Sequence, residues 1–201
     1  MWRSRIFFNR GILPSVLLAG LAIPSAPSAR VFLTQQDALA RAFPGDPDVS
    51  RRTGFLTDEQ ARRIREISGE EVHTRVVTYY VGRREEGEMA TAYFDTHRVR
   101  TLPETLLIVI GPEGHVLDLQ VLSFLEPADY LPRSKWFEQF LGRSLDPDLS
   151  LKGKIHGITG ATLSARAGTR AVRRILAIHQ VLNPLESHNP GTSEGPEGGS
   201  Q

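Results

Sequence analysis

Along "GPEGHVLDLQVLSF" the apolar residues Leu117, Leu119 and Val121 alternate with Asp118 and Gln120, the two-residue period of a strand with one covered face. Together with "ETLLIVI" before it, this predicts a hairpin that turns at Gly111, Pro112, Glu113 and Gly114. Upstream, "VHTRVVTYYVG" is rich in β-branched and aromatic residues and reads as a strand ending at Gly82. The charged run "RREEGE" is then a turn, and "MATAYFD" the partner strand.

A different period marks the helices. In "TQQDALARAF" Ala38, Leu39, Ala42 and Phe43 form a stripe behind Thr34 as N-cap, and Pro44 and Gly45 stop the helix. In "TDEQARRIREI" Thr57 and Gln60 stand at capping-box spacing, with acids in the first turn where the helix dipole favours them. These two helices are expected to cover one side of the sheet. Trp136, Phe137, Phe140 and Leu141 share one helical face in "KWFEQFLG", a spacing that usually means core packing. A last helix is predicted from Ala165 to Leu182, with Ala167, Ala171, Ile175 and Leu182 on its apolar face and Arg166, Arg170, Arg173 and Arg174 away from it. Strands followed by helices in this order predict an α+β fold, a small antiparallel sheet with flanking helices.

The two ends of the chain differ from its middle. Arg3, Arg5 and Arg10 precede an apolar run from Ile12 to Ile23, and "PSAPSA" follows, the order of an export signal. Residues 1–29 are therefore read as a signal peptide, cleaved after Ser28, or as a retained N-terminal anchor. From Pro184 the stretch 184–201 offers too little apolar surface to offset the entropy of ordering it, and reads as a disordered tail.

Losing Arg3, Arg5 and Arg10 takes the basic count from 24 to 21 against 23 acids. That balance leaves no basic footprint for nucleic acid, so no such partner is expected. With no cysteine in the chain, disulfides, thiolate metal sites and iron–sulfur clusters are excluded. The six histidines include no HExxH and no facing i, i+4 pair, so no metal site is expected.

The chemistry concentrates in "HGITGATLSARAG", residues 156–168, where Thr159, Gly160, Ala161, Thr162 and Ser164 stand at the mouth of the last helix. A helix N-terminus leaves amide donors unpaired and favours anions, phosphate above all. Gly160 and Ala161 let a ligand approach the backbone, and the hydroxyls can cap the helix or bond the ligand. By average usage, such a tetrapeptide arises by chance in about one chain of this size in a hundred.

"TGATLS" resembles the Ser/Thr-Gly-Ala-Thr flavinylation motif of the FMN-binding domain family, found in the sodium-translocating NADH:quinone oxidoreductase and in the Rnf complex. The order of elements is similar too: the glycine-turn hairpin, the Glu-Pro element "LEPADY", the aromatic helix "KWFEQFLG", then the motif and "ARAGTRAV". On this resemblance residues 84–183 are the FMN-binding core, and 30–83 a preceding helical and strand part.

The resemblance implies that Thr162 carries FMN through a phosphoester, installed by a separate flavin transferase that uses FAD and magnesium. Thr159, Gly160, Ala161, Leu163 and Ser164 would surround the phosphate and ring, with Glu126 and Trp136 as further candidates for the flavin pocket. One position departs from the pattern: the family's motif usually has an aspartate six residues before the modified threonine, and here that residue is His156.

The function this implies is an exported electron carrier, periplasmic or held at the outer face of the cytoplasmic membrane, serving membrane or exported redox partners. Arg98 and Arg100 could meet an acidic partner or the phosphate. Two other readings compete with it: a flavin-dependent reductase acting on a small substrate, with His156 or Glu126 as proton donor, and a non-redox exported module in which the motif only caps a helix.

Overall fold

The computed structural model describes residues 30–46, 48–84 and 88–185. The predicted leader, residues 85–87 of the "RREEGE" turn and all but the first two residues of the predicted tail lie outside the described residues. Those two belong to the packed body: Pro184 is buried and Leu185 rests against the core, so the packed chain runs further than the sequence suggests.

In chain order the elements are β1 (Arg30–Val31), α1 (Gln35–Ala42), β2 (Ser50–Phe55), α2 (Asp58–Ser68), β3 (Val76–Arg83), β4 (Met89–Arg98), β5 (Pro103–Ile110), β6 (Val116–Phe124), α3 (Ser134–Phe137) and α4 (Thr162–Leu182). The architecture is α+β. The described strands form one antiparallel sheet of order β1-β6-β5-β4-β3-β2. Strands β2 to β6 are a simple meander, and β1 pairs with β6 at the far edge.

Both predicted N-caps form. The Thr34 side chain accepts from the Asp37 amide, and Thr57 and Gln60 close a reciprocal capping box. The helices do not share a face of the sheet, however. Ala38, Ala42 and Phe43 of the α1 segment pack on Tyr80, Ala90, Ala92, Leu107, Val109 and Leu122. Ile64 of α2 packs with α4 on the opposite face, against Tyr79, Val81, Tyr93, Leu106 and Ile108. The reason is topological: α1 links β1 at one edge to β2 at the other and has to cross the sheet, whereas α2 links the adjacent strands β2 and β3.

Two covered faces also change the reading of β6. Along β5, Leu106 to Ile110 are all fully buried, alternating between the two cores. Strand β6 then carries two bulges: Thr105 pairs with Ser123 but Leu106 with Val121, and Val109 pairs with Asp118 but Ile110 with Val116. Each bulge places one extra residue, Leu122 and Leu117, toward the α1 core, so the alternation seen in sequence is not a single face.

Strand β3 continues through Gly82 rather than ending there. A side chain at Gly82 would start 2.9 Å from the Phe43 ring, so glycine serves close packing of α1 against the strand. The aromatic helix is short: α3 passes into a 3-10 turn at Glu138–Phe140, which leaves Leu141 45% exposed while Trp136, Phe137 and Phe140 are buried.

On α4, Ala171 and Ile175 are buried and Ala167 and Leu182 half-buried. Arg173 and Arg174 depart from the expected polar face and turn inward. Arg173 Nη1 donates to the carbonyls of Asp146 and Leu149, and Arg174 Nη2 reaches the Asp95 carboxylate.

Candidate functional site

α4 begins one turn before the apolar run predicts, with Ala161 as N-cap and Thr162 in the first helical position. Gly160 sets this entry with a φ of 86°, a left-handed conformation that glycine adopts without a Cβ penalty. No heavy atom lies within 4 Å of where a Gly160 side chain would start, so the space above the turn is open.

No side chain caps the helix. The hydroxyls that the sequence offers for capping are used otherwise: Thr162 Oγ1 donates to the Ile158 carbonyl at 3.1 Å, and Ser164 Oγ donates to the Tyr130 carbonyl at 2.6 Å. The opening amides of α4 therefore remain available to an anion.

Thr162 is exposed and lines an open cleft of about 310 Å³ with Arg100, Tyr130, Gly160, Ala161, Leu163 and Ser164. Arg100 lies over the Tyr130 ring, 4.6 Å from its centroid, and supplies the guanidinium of this cleft. Of the predicted residues, Gly160, Ala161, Thr162, Leu163 and Ser164 come together here. Thr159 is exposed on the preceding turn and does not line the cleft.

Glu126 and Trp136 are not cleft residues either; both act on it through other groups. Glu126 is buried, and its Oε1 accepts from the amides of Arg100 at 3.2 Å, Thr101 at 2.6 Å and Leu102 at 2.8 Å. Burial alone would raise its pKa, but these amides and the Thr101 hydroxyl outweigh it and hold the carboxyl below its ordinary value. The carboxylate thereby fixes the β4–β5 turn that carries Arg100.

Trp136 sits in the core against Phe137 and Phe140, and its Nε1 donates to the His156 carbonyl at 2.7 Å. The His156 amide donates to Gln139 Oε1 at 2.8 Å, so the backbone of this residue is pinned on both sides while the residue itself is exposed. His156 is thus the anchor of the loop that delivers the motif.

Comparison with family models, with curated proteins and with solved structures finds no match for this chain.

The sequence reading missed Tyr130, which lines the cleft with Thr162 and carries Arg100 over its ring, and a charged cluster beneath α4. In that cluster His97 Nδ1 lies 2.8 Å from Asp95 Oδ1, and its Nε2 lies 3.1 Å from Glu104 Oε2. Arg174 closes on both oxygens of Asp95 at 2.8 Å. Burial opposes the imidazolium, but the two carboxylates prevail and raise the His97 pKa to about 9. A signal existed for part of this: Asp95 and His97 stand two apart on β4, and His97 is the register partner of Glu104 on β5.

Proposed function

We propose that the chain is an exported electron-transfer flavoprotein that carries FMN as a phosphoester on Thr162. The observation that supports this most directly is the exposed Thr162 hydroxyl in the first position of α4, on the wall of an open cleft that also holds a guanidinium. The residues suit a phosphate ester: uncapped helix amides, Arg100, and a glycine turn with open space above it.

A threonine hydroxyl is a poor nucleophile at its free pKa, so attachment falls to a separate transferase. In that step the Thr162 oxygen bonds to the FMN phosphorus of FAD, the pyrophosphate bond breaks, AMP leaves, and the hydroxyl proton passes to a base of the transferase. The chain is the acceptor in this reaction. Thr162 Oγ1 donates its proton to the Ile158 carbonyl, a bond that leaves the oxygen's lone pairs unused.

Bound flavin takes electrons in pairs and passes them singly. Around it, Arg100 and the α4 amides would hold the phosphate, Leu163 and Tyr130 would face the ring system, and Glu126 would keep Arg100 in place. A covalent tether suits an exported carrier because the cofactor cannot be lost by dissociation.

Intact-mass measurement tests this on protein co-expressed with a flavin transferase. Wild type is expected to gain the mass of FMN less water and Thr162→Ala none; equal masses would refute the covalent link.

A further inference from the structure

Leu163 of the Thr162 cleft also lines a second cleft of about 500 Å³, whose lining includes His97, Arg98, Arg166, Arg170 and Arg174. Arg166, Arg170 and Arg174 follow one another at four-residue spacing, so they form a row along one face of α4. Like charges at this spacing destabilise a helix, and a cation near the N-terminal end opposes the dipole.

Two of the three are offset within the fold. Arg174 is held by Asp95, and Arg170 Nε lies 2.7 Å from Glu70 Oε2. Arg166 stands nearest the N-terminus, where a cation is least favoured, and has no ion pair among the described residues. Arg98, the last residue of β4, is likewise exposed and without an ion pair there.

The carboxylates that balance this region, Glu70, Asp95 and Glu104, are buried, and no acidic residue lines the cleft among the described residues. His97, held between two of them, adds a further positive charge at neutral pH. The surface presented to solvent is therefore cationic, with Leu163, Val99 and Ala167 as apolar ground between the guanidiniums.

We propose that this cleft binds a small organic polyanion, a short carbon body carrying two or more carboxylate or phosphate groups. Guanidiniums match both head groups in a bidentate fork. The uncompensated Arg166 and Arg98 then find their partner in the ligand, and the apolar residues take its carbon atoms. The volume lies within the range of small-molecule sites. The inference is independent of the flavin: it holds equally for the chain without any group on Thr162.

The test is isothermal titration of the full chain, expressed without a flavin transferase, with citrate and separately with pyrophosphate at low ionic strength. Saturable one-to-one binding of at least one is expected, and the two arms decide between carboxylate and phosphate recognition. Arg166→Gln and Arg98→Gln should each weaken it roughly tenfold, the scale of one lost charge-assisted contact. Arg62→Gln, an exposed change on α2, should leave it unchanged; Arg62→Gln and Arg98→Gln should melt with the wild type, and Arg166→Gln slightly above it, because the charge it loses opposes the helix dipole.

Absence of saturation by either anion would overturn the proposal. So would equal weakening in Arg62→Gln, which marks diffuse charge attraction, or unchanged affinity in both Arg166→Gln and Arg98→Gln. Saturation by a polyglutamate peptide alone would also overturn it, in favour of a protein partner.

Discussion

Arg174 Nη2 lies 2.8 Å from both oxygens of the Asp95 carboxylate, joining the last helix to the middle of the sheet through a pair that is almost wholly buried. Such a pair adds little over well-packed apolar residues, yet losing Arg174 leaves two buried carboxylates, Asp95 and Glu104, with His97 as the one cation between them. Arg174→Met should therefore destabilise by about 3–5 kcal/mol, measured by urea unfolding. The double variant Arg174→Met with Asp95→Leu should recover part of that loss, which a simple packing role for Arg174 would not allow.

The same layer holds two histidines with opposite pH dependence. His97 keeps its proton up to about 9 in the folded state against 6.5 ordinarily. Stability from its pairing is complete below 6.5 and is lost as pH rises toward about 9. His179, desolvated in the core and hydrogen-bonded through Nδ1 to the Tyr93 hydroxyl at 3.1 Å, has its pKa lowered to about 4 by burial. The unfolded chain takes up that proton first, so stability falls as pH drops from 6.5 to about 4. Melting temperature should therefore peak near 6.5. His97→Gln should lower the peak and flatten the alkaline limb; an unchanged alkaline limb would refute the assignment.

Glu126 is expected to act on the Thr162 cleft without touching it. Glu126→Gln replaces an acceptor of three amides with a neutral group that keeps one carbonyl oxygen, and Glu126→Ala removes the acceptor. Faster hydrogen exchange at Arg100, Thr101 and Leu102 is expected in both variants, and more so in Ala. Because the carboxyl is held below its ordinary value, the contribution is present above the unfolded pKa of about 4.5 and fades as pH falls through the lower folded value. Unaltered exchange in Glu126→Ala would show that the turn holds itself.

How much of this was legible in the sequence depends on how far apart the partners stand. The Thr34 cap and the Thr57–Gln60 box are decided within one helical turn, and both could be read directly. The β5–β6 hairpin is equally local, although its two bulges hide in an alternation that looks regular. Strand β2 escaped because "SRRTGF" is an edge with no buried residue, leaving no apolar period to detect. The split of α1 and α2 between two faces depends on which sheet edges they connect, which no local pattern records. Arg173 and Arg174 read as solvent-facing by helical period, and only the fold brings Asp95, 79 residues away, within reach. At the site, the motif supplied five of the cleft residues, while Arg100 and Tyr130 arrive from separate turns.

Gly82 offers a test of the crossover packing. A Cβ there would meet the Phe43 ring at 2.9 Å and Asp46 Oδ2 at 3.1 Å, so Gly82→Val should cost roughly 1–3 kcal/mol by overpacking, although valine favours strands. Phe43→Ala leaves a void over Gly82, which the valine can partly fill. The double variant should accordingly be more stable than the sum of the two single losses predicts, by roughly 1 kcal/mol in a thermodynamic cycle. Additive losses would mean that Phe43 does not lie over Gly82, and the placement of α1 on this face would fall with it.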